Sequence, residues 1–271
     1  MYIDTHCHLN FVAFKDDWKE TADQCVKAGV KKMIVVGADL ETSARAVEIC
    51  EQHPALFAAV GVHPHHSHAL RGITNFQFSI FKKLENLAKS KKVVAIGECG
   101  LDYHVYKKTK YLNEEITPEV KTLQKRLFGQ QIQLAKKLEL PMIIHNRAAG
   151  EETLDTLKHF CAGDGQYPRG VFHCISGSKK LLTKILDLDF YIGIDGNITY
   201  SQEVQTLATE APLERILLET DAPYLSPKHD GSRNFPQSVK IAAQFLAKLK
   251  STSINQIEAE TTKNAEKLFK L

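Results

Sequence analysis

Eight short apolar segments recur along the chain, and most are followed by a loop and then a stretch with helical periodicity. Runs such as Val93-Val94-Ala95-Ile96 are apolar on both faces, as in parallel strands with helices outside and packed side chains inside. The strands are predicted at 2–6, 32–37, 57–62, 92–97, 140–145, 169–174, 190–195 and 215–220. The helices are predicted at 16–28, 40–52, 76–90, 118–138, 150–161, 178–187, 201–210, 235–249 and 254–270. Eight βα units of this kind predict an α/β fold, the TIM (β/α)8 barrel.

The length of the chain agrees with this architecture. Its 271 residues are close to the ~250 of a typical α/β barrel. The sequence contains no Gly/Ser linker, low-complexity tract or sequence repeat that would divide it. We therefore expect a single domain spanning residues 1–271.

Charge and cysteine usage limit the possible partners and the compartment. The formal net charge is only +3, from 35 basic and 32 acidic side chains, so the global charge does not identify nucleic acid as a partner. The six cysteines show no C-x2-C pairing, which argues against a disulfide framework and against a cysteine zinc site. The sequence shows no signal peptide and no apolar run of the ~20 residues that span a membrane. We expect a soluble cytoplasmic monomer without membrane contact or an obligate protein partner.

Polar residues follow the apolar runs where barrel enzymes carry their catalytic groups, at the carboxyl ends of the strands. His6 and His8 alternate with Asp4 at the end of the first strand, and such histidines can converge on a metal. Glu98 follows the fourth run and can offer one oxygen to each of two metals. The fifth and sixth strands each lead into one histidine, and these are His145 and His173. The repetition favours a histidine-rich metal centre over separate hydrogen-bonded histidines.

The eighth strand ends in two acids that share a face by strand alternation. Asp221 can be a metal ligand and a proton acceptor. We interpret Glu219 as an acid that orients Asp221 or a ligand histidine, with a buried ion pair as the alternative.

The candidate residues belong to five motifs, which are His6-x-His8, Gly97-Glu98-x-Gly100-Leu101-Asp102-Tyr103, Ile144-His145-x-Arg147, Val171-Phe172-His173-Cys174-x-Ser176-Gly177 and Glu219-Thr220-Asp221-Ala222-Pro223-Tyr224-Leu225. In this order the motifs resemble those of the TatD family of metal-dependent deoxyribonucleases, and the similarity spans nearly the whole chain. The resemblance implies a TIM-barrel phosphodiesterase of the amidohydrolase superfamily that hydrolyses DNA, with RNA as a second candidate substrate, often as a 3′-to-5′ exonuclease. It also implies metal ligands at His6, His8, Glu98, His145, His173 and Asp221, with His63 as a further polar contact.

The chain departs from the family pattern only at the periphery. Ala148 stands where members commonly carry an acid after Arg147, and the segment from Asp230 to Pro236 replaces the usual Gly-Lys-Arg-Asn-Glu-Pro. The stretch from 104 to 118 is longer than usual. These differences bear on substrate preference and leave the metal centre intact.

These ligands suggest that Glu98 bridges two divalent ions, which activate a water molecule whose proton Asp221 accepts. Four imidazoles favour Zn²⁺ or Mn²⁺, whereas the resemblance also allows Mg²⁺. Further candidate substrate contacts are Arg147, Arg233, Lys107, Lys108 and Lys110 for phosphates and Tyr103 or Phe235 for a base. The alternative for the lysines is a solvated loop. We expect His65, His66 and His68 to be exposed loop residues.

Two other functions are compatible with the same barrel. The same chemistry can hydrolyse an amide, an ester or a lactone, including an aminoacyl-tRNA, but superfamily relatives that act on cyclic amides often carry a carboxylated lysine where this chain has Glu98. A non-catalytic barrel that binds nucleic acid is the third interpretation. The complete ligand set argues against it.

Overall fold

A computed structural model describes residues 1–70, 76–106, 115–163 and 165–271, and it contains eight parallel strands arranged in chain order. A bridge between Cys7 and Ala222 joins the first strand to the segment after the last. The strands are β1 (Tyr2–Cys7), β2 (Val30–Val36), β3 (Leu56–Val60), β4 (Val93–Asp102), β5 (Met142–Arg147), β6 (Gly170–Phe172), β7 (Tyr191–Ile194) and β8 (Ile216–Leu218). The predicted TIM barrel is confirmed.

The α-helices of the described residues occupy the predicted stretches, with some different ends. The fourth helix begins as the sequence indicates, because the Thr117 side chain accepts a hydrogen bond from the N–H of Val120 and Pro118 holds the first helical position. The eighth helix begins at Val239, after a short 3-10 turn at Pro236–Ser238. The helices are α1 (Trp18–Lys27), α2 (Leu40–Glu51), α3 (Phe76–Leu87), α4 (Pro118–Leu138), α5 (Gly150–Cys161), α6 (Lys179–Asp187), α7 (Gln202–Glu210), α8 (Val239–Leu249) and α9 (Ile254–Phe269).

The barrel encloses an apolar interior, to which all eight strands contribute buried side chains. The end of α9 packs against this cluster, and a larger cluster fills the space between the strands and the helices. The interior members are Ile3, Ile34, Val36, Ala59, Val94, Ala95, Ile143, Val171, Tyr191 and Leu217. The interior is thus closed by packing, so polar chemistry is left to the ends of the strands. Among the described helices, none combines the length and apolar character needed to span a bilayer.

Close to the candidate ligands, β1 and β4 each carry one extra residue relative to a neighbouring strand. Between Asp4 and Cys7, β1 advances three residues while β2 advances two, and between Ile96 and Cys99 β4 does the same against β5. Such a bulge interrupts the regular alternation of side chains and redirects the residue within it. The bulge in β1 interrupts its pairing with β2, yet His6 and His8 still direct their Nε2 atoms to one side of the strand, where these atoms are 3.2 Å apart.

The predicted end of the fourth strand, at residue 97, was wrong. β4 continues to Asp102, which lies opposite Arg147 of β5. Glu98 is therefore inside a strand, at its bulge, where the flanking ladder fixes its position.

Candidate metal centre

Six side chains from five different strands meet at the carboxyl end of the barrel. His6 belongs to β1 and His8 follows it, Glu98 belongs to β4 and His145 to β5, and the other two follow β6 and β8. These side chains form overlapping groups of three in which the potential ligand atoms lie within 4.8 Å of one another, and three such groups together include all six residues. The six are His6, His8, Glu98, His145, His173 and Asp221. The structure brings together every metal ligand that the sequence predicts.

The carboxylate of Glu98 lies between two pairs of histidines. Its Oε2 is 3.6 Å from Nε2 of His6 and 3.9 Å from Nε2 of His8. Its Oε1 is 2.9 Å from Nδ1 of His145 and 2.8 Å from Nε2 of His173. Each oxygen thus faces one pair, which is the arrangement needed for a carboxylate that bridges two cations.

Asp221 completes the half of the centre that contains the first histidine pair. Its Oδ1 is 3.5 Å from Nε2 of His6 and 3.2 Å from Nε2 of His8. Its side chain is 16% exposed, whereas that of Glu98 is 6% exposed. Burial alone would raise the pKa of Asp221, but the hydrogen bond from His8 and the charge of His6 hold it below its ordinary value. Asp221 is therefore ionised at neutral pH and is the more accessible acid.

Hydrogen bonds outside the centre fix the orientation of two imidazoles. Nδ1 of His8 lies 2.9 Å from the carbonyl oxygen of Val36, an acceptor, so the neutral ring donates there and leaves its lone pair on Nε2. Nε2 of His145 lies 3.0 Å from Oδ2 of Asp102, which leaves the lone pair of the neutral ring on Nδ1. Lone pairs and carboxylate oxygens therefore converge on one small space. A cation satisfies such a set of acceptors, so the residues fit divalent metal ions.

Without a bound ion, the acids and imidazoles of the centre shift each other's pKa values. Burial would raise the pKa of Glu98, but the charge of His173 and hydrogen bonds from His145 and His173 hold it well below its usual range. Burial would likewise lower the pKa of His173, but the charges of Glu98 and Glu219 raise it well above its ordinary value. Without metal the acids are ionised and hold protons on imidazoles.

Glu219 lies beneath His173, fully buried. Its Oε1 is 3.7 Å from Nδ1 of His173 and accepts a hydrogen bond from the backbone N–H of Cys174. Gly193 of β7 makes room for it, since a Cβ there would lie 2.3 Å from Oε2 of the carboxylate. These contacts support our interpretation that Glu219 orients a ligand histidine.

The sequence interpretation quoted Asp102 within a motif but gave it no role. Its Oδ2 accepts hydrogen bonds from Nε2 of His145 at 3.0 Å and from the hydroxyl of Tyr106 at 2.7 Å, and it lies 2.9 Å from Nε2 of His65. The side chain of His65 is 13% exposed, so the expectation that it is an exposed loop residue was wrong. The tight turn after His63 directs it inward, which local sequence does not reveal.

Asp195 is a second acid that the sequence interpretation missed. It follows β7 directly and is fully buried, and burial together with the charge of Glu219 raises its pKa to about 7. The rule that located the other groups, a polar residue at the end of an apolar strand, would have found it.

Of the predicted substrate contacts, two lie at the centre or beside it. Nε2 of His63 is 3.4 Å from Oε1 of Glu98, and its Nδ1 accepts a hydrogen bond from the N–H of His65. His63 therefore carries its proton on Nε2 when neutral, and burial lowers its pKa well below the ordinary value. The exposed Arg147 donates to the hydroxyl of Tyr106 at 3.0 Å.

The other predicted contacts are engaged with the protein. The guanidinium of Arg233 pairs with Asp17, donates to the carbonyl of Ala13 and lies 4.6 Å from the ring centroids of both Phe14 and Phe235. The ring of Tyr103 packs against the core, with the ammonium of Lys121 at 4.5 Å. These contacts favour structural roles for Arg233, Tyr103 and Phe235. The predicted lysines Lys107, Lys108 and Lys110 lie outside the described residues.

A TIM barrel with this ligand set at the carboxyl ends of its strands defines a class of proteins, the metal-dependent hydrolases. The model of the family described as TatD related DNase matches residues 3–270. The chain therefore belongs to the TatD family, as its motifs indicate.

Individual relatives agree with this assignment. The chain is 35% identical to an uncharacterized metal-dependent hydrolase, YabD of Bacillus subtilis, with 100% of both chains covered. It is 31% identical to the 3′-5′ ssDNA/RNA exonuclease TatD of Yersinia pseudotuberculosis, with 99% of both covered. Among solved structures, the TatD homologue YjjV of Escherichia coli superposes with a TM-score of 0.84 at 28% identity, covering 100% of this chain and 98% of that one.

Proposed function

We propose that the protein hydrolyses phosphodiester bonds of DNA, with RNA as a second substrate, as a 3′-5′ exonuclease that uses two divalent metal ions. The observation that carries the proposal is the position of Glu98, with one oxygen towards each histidine pair. Support comes from the family description as a DNase and from the relative named as an ssDNA/RNA exonuclease. The natural partner is then a nucleic acid strand.

The positions of the six residues divide them between two metal sites. His6, His8 and Asp221 would hold one ion, His145 and His173 would hold the other, and Glu98 would face both. When bound, such ions polarise the phosphoryl oxygen, lower the pKa of a water molecule and neutralise the developing charge. Imidazole-rich ligation suits Zn²⁺ or Mn²⁺.

The protein's own groups would handle the proton and the substrate. Asp221 is ionised and partly exposed, so it can accept the proton of the attacking water. His63 presents a neutral Nε2–H towards the same space and can donate a hydrogen bond to a phosphoryl oxygen. Glu219 holds His173 in place. Arg147 is exposed two residues beyond His145 and can pair with the next phosphate.

The test is cleavage of 3′-labelled single-stranded DNA, duplex DNA, RNA and a model carboxylic ester, each with and without a chelator. We expect release of the labelled 3′ nucleotide from single strands and its loss with the chelator. Cleavage of the ester alone would contradict the proposal and would indicate a hydrolase that acts on carbonyl compounds. Cleavage that resists the chelator would exclude the metal mechanism.

Two substitutions connect this activity to the site. Glu98→Gln and Asp221→Asn should each lower kcat by a factor of about 10³ or more, because they remove a bridging charge and a proton acceptor. Asp187→Asn, at the exposed end of α6, is the matched control and should cleave like the unaltered protein. Full activity of either active-site variant would remove that residue from the mechanism.

A further inference from the structure

We propose that aromatic side chains on the loops after β1, β7 and β8, of which Tyr200 and Tyr224 are exposed, stack with unpaired nucleobases on either side of the metal centre, with Tyr224 as the main contact. The inference rests on the proposed function and specifies its substrate as a strand with unpaired bases. It assigns base contacts to residues that the sequence interpretation did not select for this role.

The first observation is where large apolar side chains are exposed. In the described part of the chain six large apolar side chains are exposed, and two of these lie at the N-terminus and on α8. Four lie on loops that directly follow strands, on the face that carries the metal centre: Val12 (87% exposed), Val105 (48%), Tyr200 (37%) and Tyr224 (53%). Exposed apolar groups gathered around one site mark a binding surface, whereas scattered single ones do not.

The second observation is how Tyr224 is held beside a metal ligand. Its backbone N–H donates to the carbonyl of Asp221 at 2.8 Å. Its ring centroid is 6.2 Å from that of His8 and 6.5 Å from that of Phe11, and Phe11 itself stacks on His8 at 4.2 Å with an interplanar angle of 16°. In a nucleotide whose phosphate is bound at the ligands, one sugar separates the phosphate from the base. This separation is comparable to the distance between His8 and the ring of Tyr224. Tyr224 is therefore positioned to meet that base.

A second aromatic pair flanks the centre from the β7 side. The rings of Tyr200 and His229 stack at 4.0 Å with an interplanar angle of 14°. Tyr200 directly follows the 3-10 turn Gly196–Thr199, which begins after Asp195 at the end of β7. Because β8 lies between β7 and β1 in the barrel, Asp221 has aromatic rings on both sides.

The chemistry of these surfaces fits a single strand. Every base has a π-face, so stacking on tyrosine tolerates any sequence, as an exonuclease requires. In a duplex the same faces are covered by neighbouring base pairs, and the bases must first be unpaired. A small amide or ester would not need aromatic surfaces on two sides of the reaction centre. The placement of aromatic rings on both sides therefore favours a polymeric substrate that crosses the metal centre.

The experiment compares single strands that carry either normal nucleotides or one abasic tetrahydrofuran residue at the 3′ end or next to it. With the metal-loaded protein, we expect an abasic residue to raise KM by about fivefold or more, the effect of losing one stacked base. Tyr224→Ala should raise KM for the normal strand by a similar factor and should abolish the difference between normal and abasic strands. The kcat of this variant should change less than its KM.

Three further variants control for folding and for general surface effects. Tyr224→Phe keeps the ring and should behave like the unaltered protein, whereas Tyr224→Leu keeps the apolar contact with Phe11 and should behave like the alanine variant. Ile241→Ala removes an exposed apolar side chain of α8 and should leave KM unchanged. If Tyr224→Leu melts normally and still distinguishes normal from abasic strands, the inference is overturned.

The inference and the proposed function fail in different ways. Normal cleavage of all strands by every variant overturns base stacking on Tyr224 and leaves the nuclease function in place. Absence of cleavage by the unaltered protein overturns the nuclease function instead. In that case the fluorescence anisotropy of labelled strands still tests stacking, because equal affinity of Tyr224→Leu and the unaltered protein refutes it.

Discussion

Replacement of Asp102 by Asn tests whether this buried acid controls metal binding through His145. Asp102 is fully buried, and its Oδ1 accepts the N–H of His104 at 2.9 Å while Oδ2 accepts from Nε2 of His145 and from the hydroxyl of Tyr106. Asparagine has the same shape but no charge, and one of its two positions is an NH2 group. In either orientation of the amide, a donor then faces a donor.

The expected size of the effect follows from these contacts. A hydrogen bond to a charged group contributes about 1.5–3 kcal/mol, and His145 loses such a bond. Loss of the partner that orients a ligand histidine typically weakens metal affinity by about 10–100-fold. This corresponds to about 1.4–2.7 kcal/mol of binding free energy. We expect this loss at the half of the centre that contains His145 and His173, and little change at the other half.

The assay titrates metal-free protein with Zn²⁺ in competition with a chromophoric chelator. The unaltered protein should show two tight binding steps, and Asp102→Asn should weaken one of them by about 10–100-fold. Tyr106→Phe is the matched control, since it removes a different donor to the same oxygen and leaves the bond to His145. The variant must retain its circular dichroism spectrum. Unchanged affinity for both ions in a folded Asp102→Asn protein would refute the proposed role of Asp102.

Three further predictions concern other contacts. Arg233→Ala should lower the free energy of unfolding by about 1–2 kcal/mol, because it removes the ion pair with Asp17 and the contacts with two aromatic rings. A tenfold fall in kcat/KM without loss of stability would instead indicate a substrate contact. Gly193→Ala should lower kcat about tenfold or more, because the new Cβ displaces Glu219 from His173. Equal kinetics of this variant and the unaltered protein would contradict that displacement. Metal binding should release protons at neutral pH: the raised pKa of His173 keeps it protonated without metal, so binding must expel that proton and affinity should increase with pH. Calorimetry in buffers of different ionisation enthalpy measures this, and identical heats in all buffers would contradict it.

The sequence predicts the barrel because hydrophobic periodicity is a local property of the chain. Runs such as Val93-Val94-Ala95-Ile96 fit only strands that are covered on both sides, and their alternation with helical stretches requires parallel neighbours. In a barrel of parallel strands all carboxyl ends meet on one face. For that reason a polar residue directly after an apolar run, such as His145 or His173, could be placed near the others without any knowledge of tertiary contacts.

The fine geometry of the centre depends on residues that are distant in sequence. The bulges that redirect His6 and Glu98 exist only through pairing with β2 and β5. Likewise, Asp102 becomes a partner of His145 because β4 extends beside β5.

The sequence by itself therefore predicted the barrel and the six candidate ligands, because both follow from local pattern and strand order. Tertiary structure decided which groups orient those ligands and which polar residues remain available to substrate. Arg233 shows the reason: its motif suggested a phosphate contact, but its partner Asp17 lies 216 residues earlier in the chain. A contact across such a separation is formed only when the fold brings the two segments together.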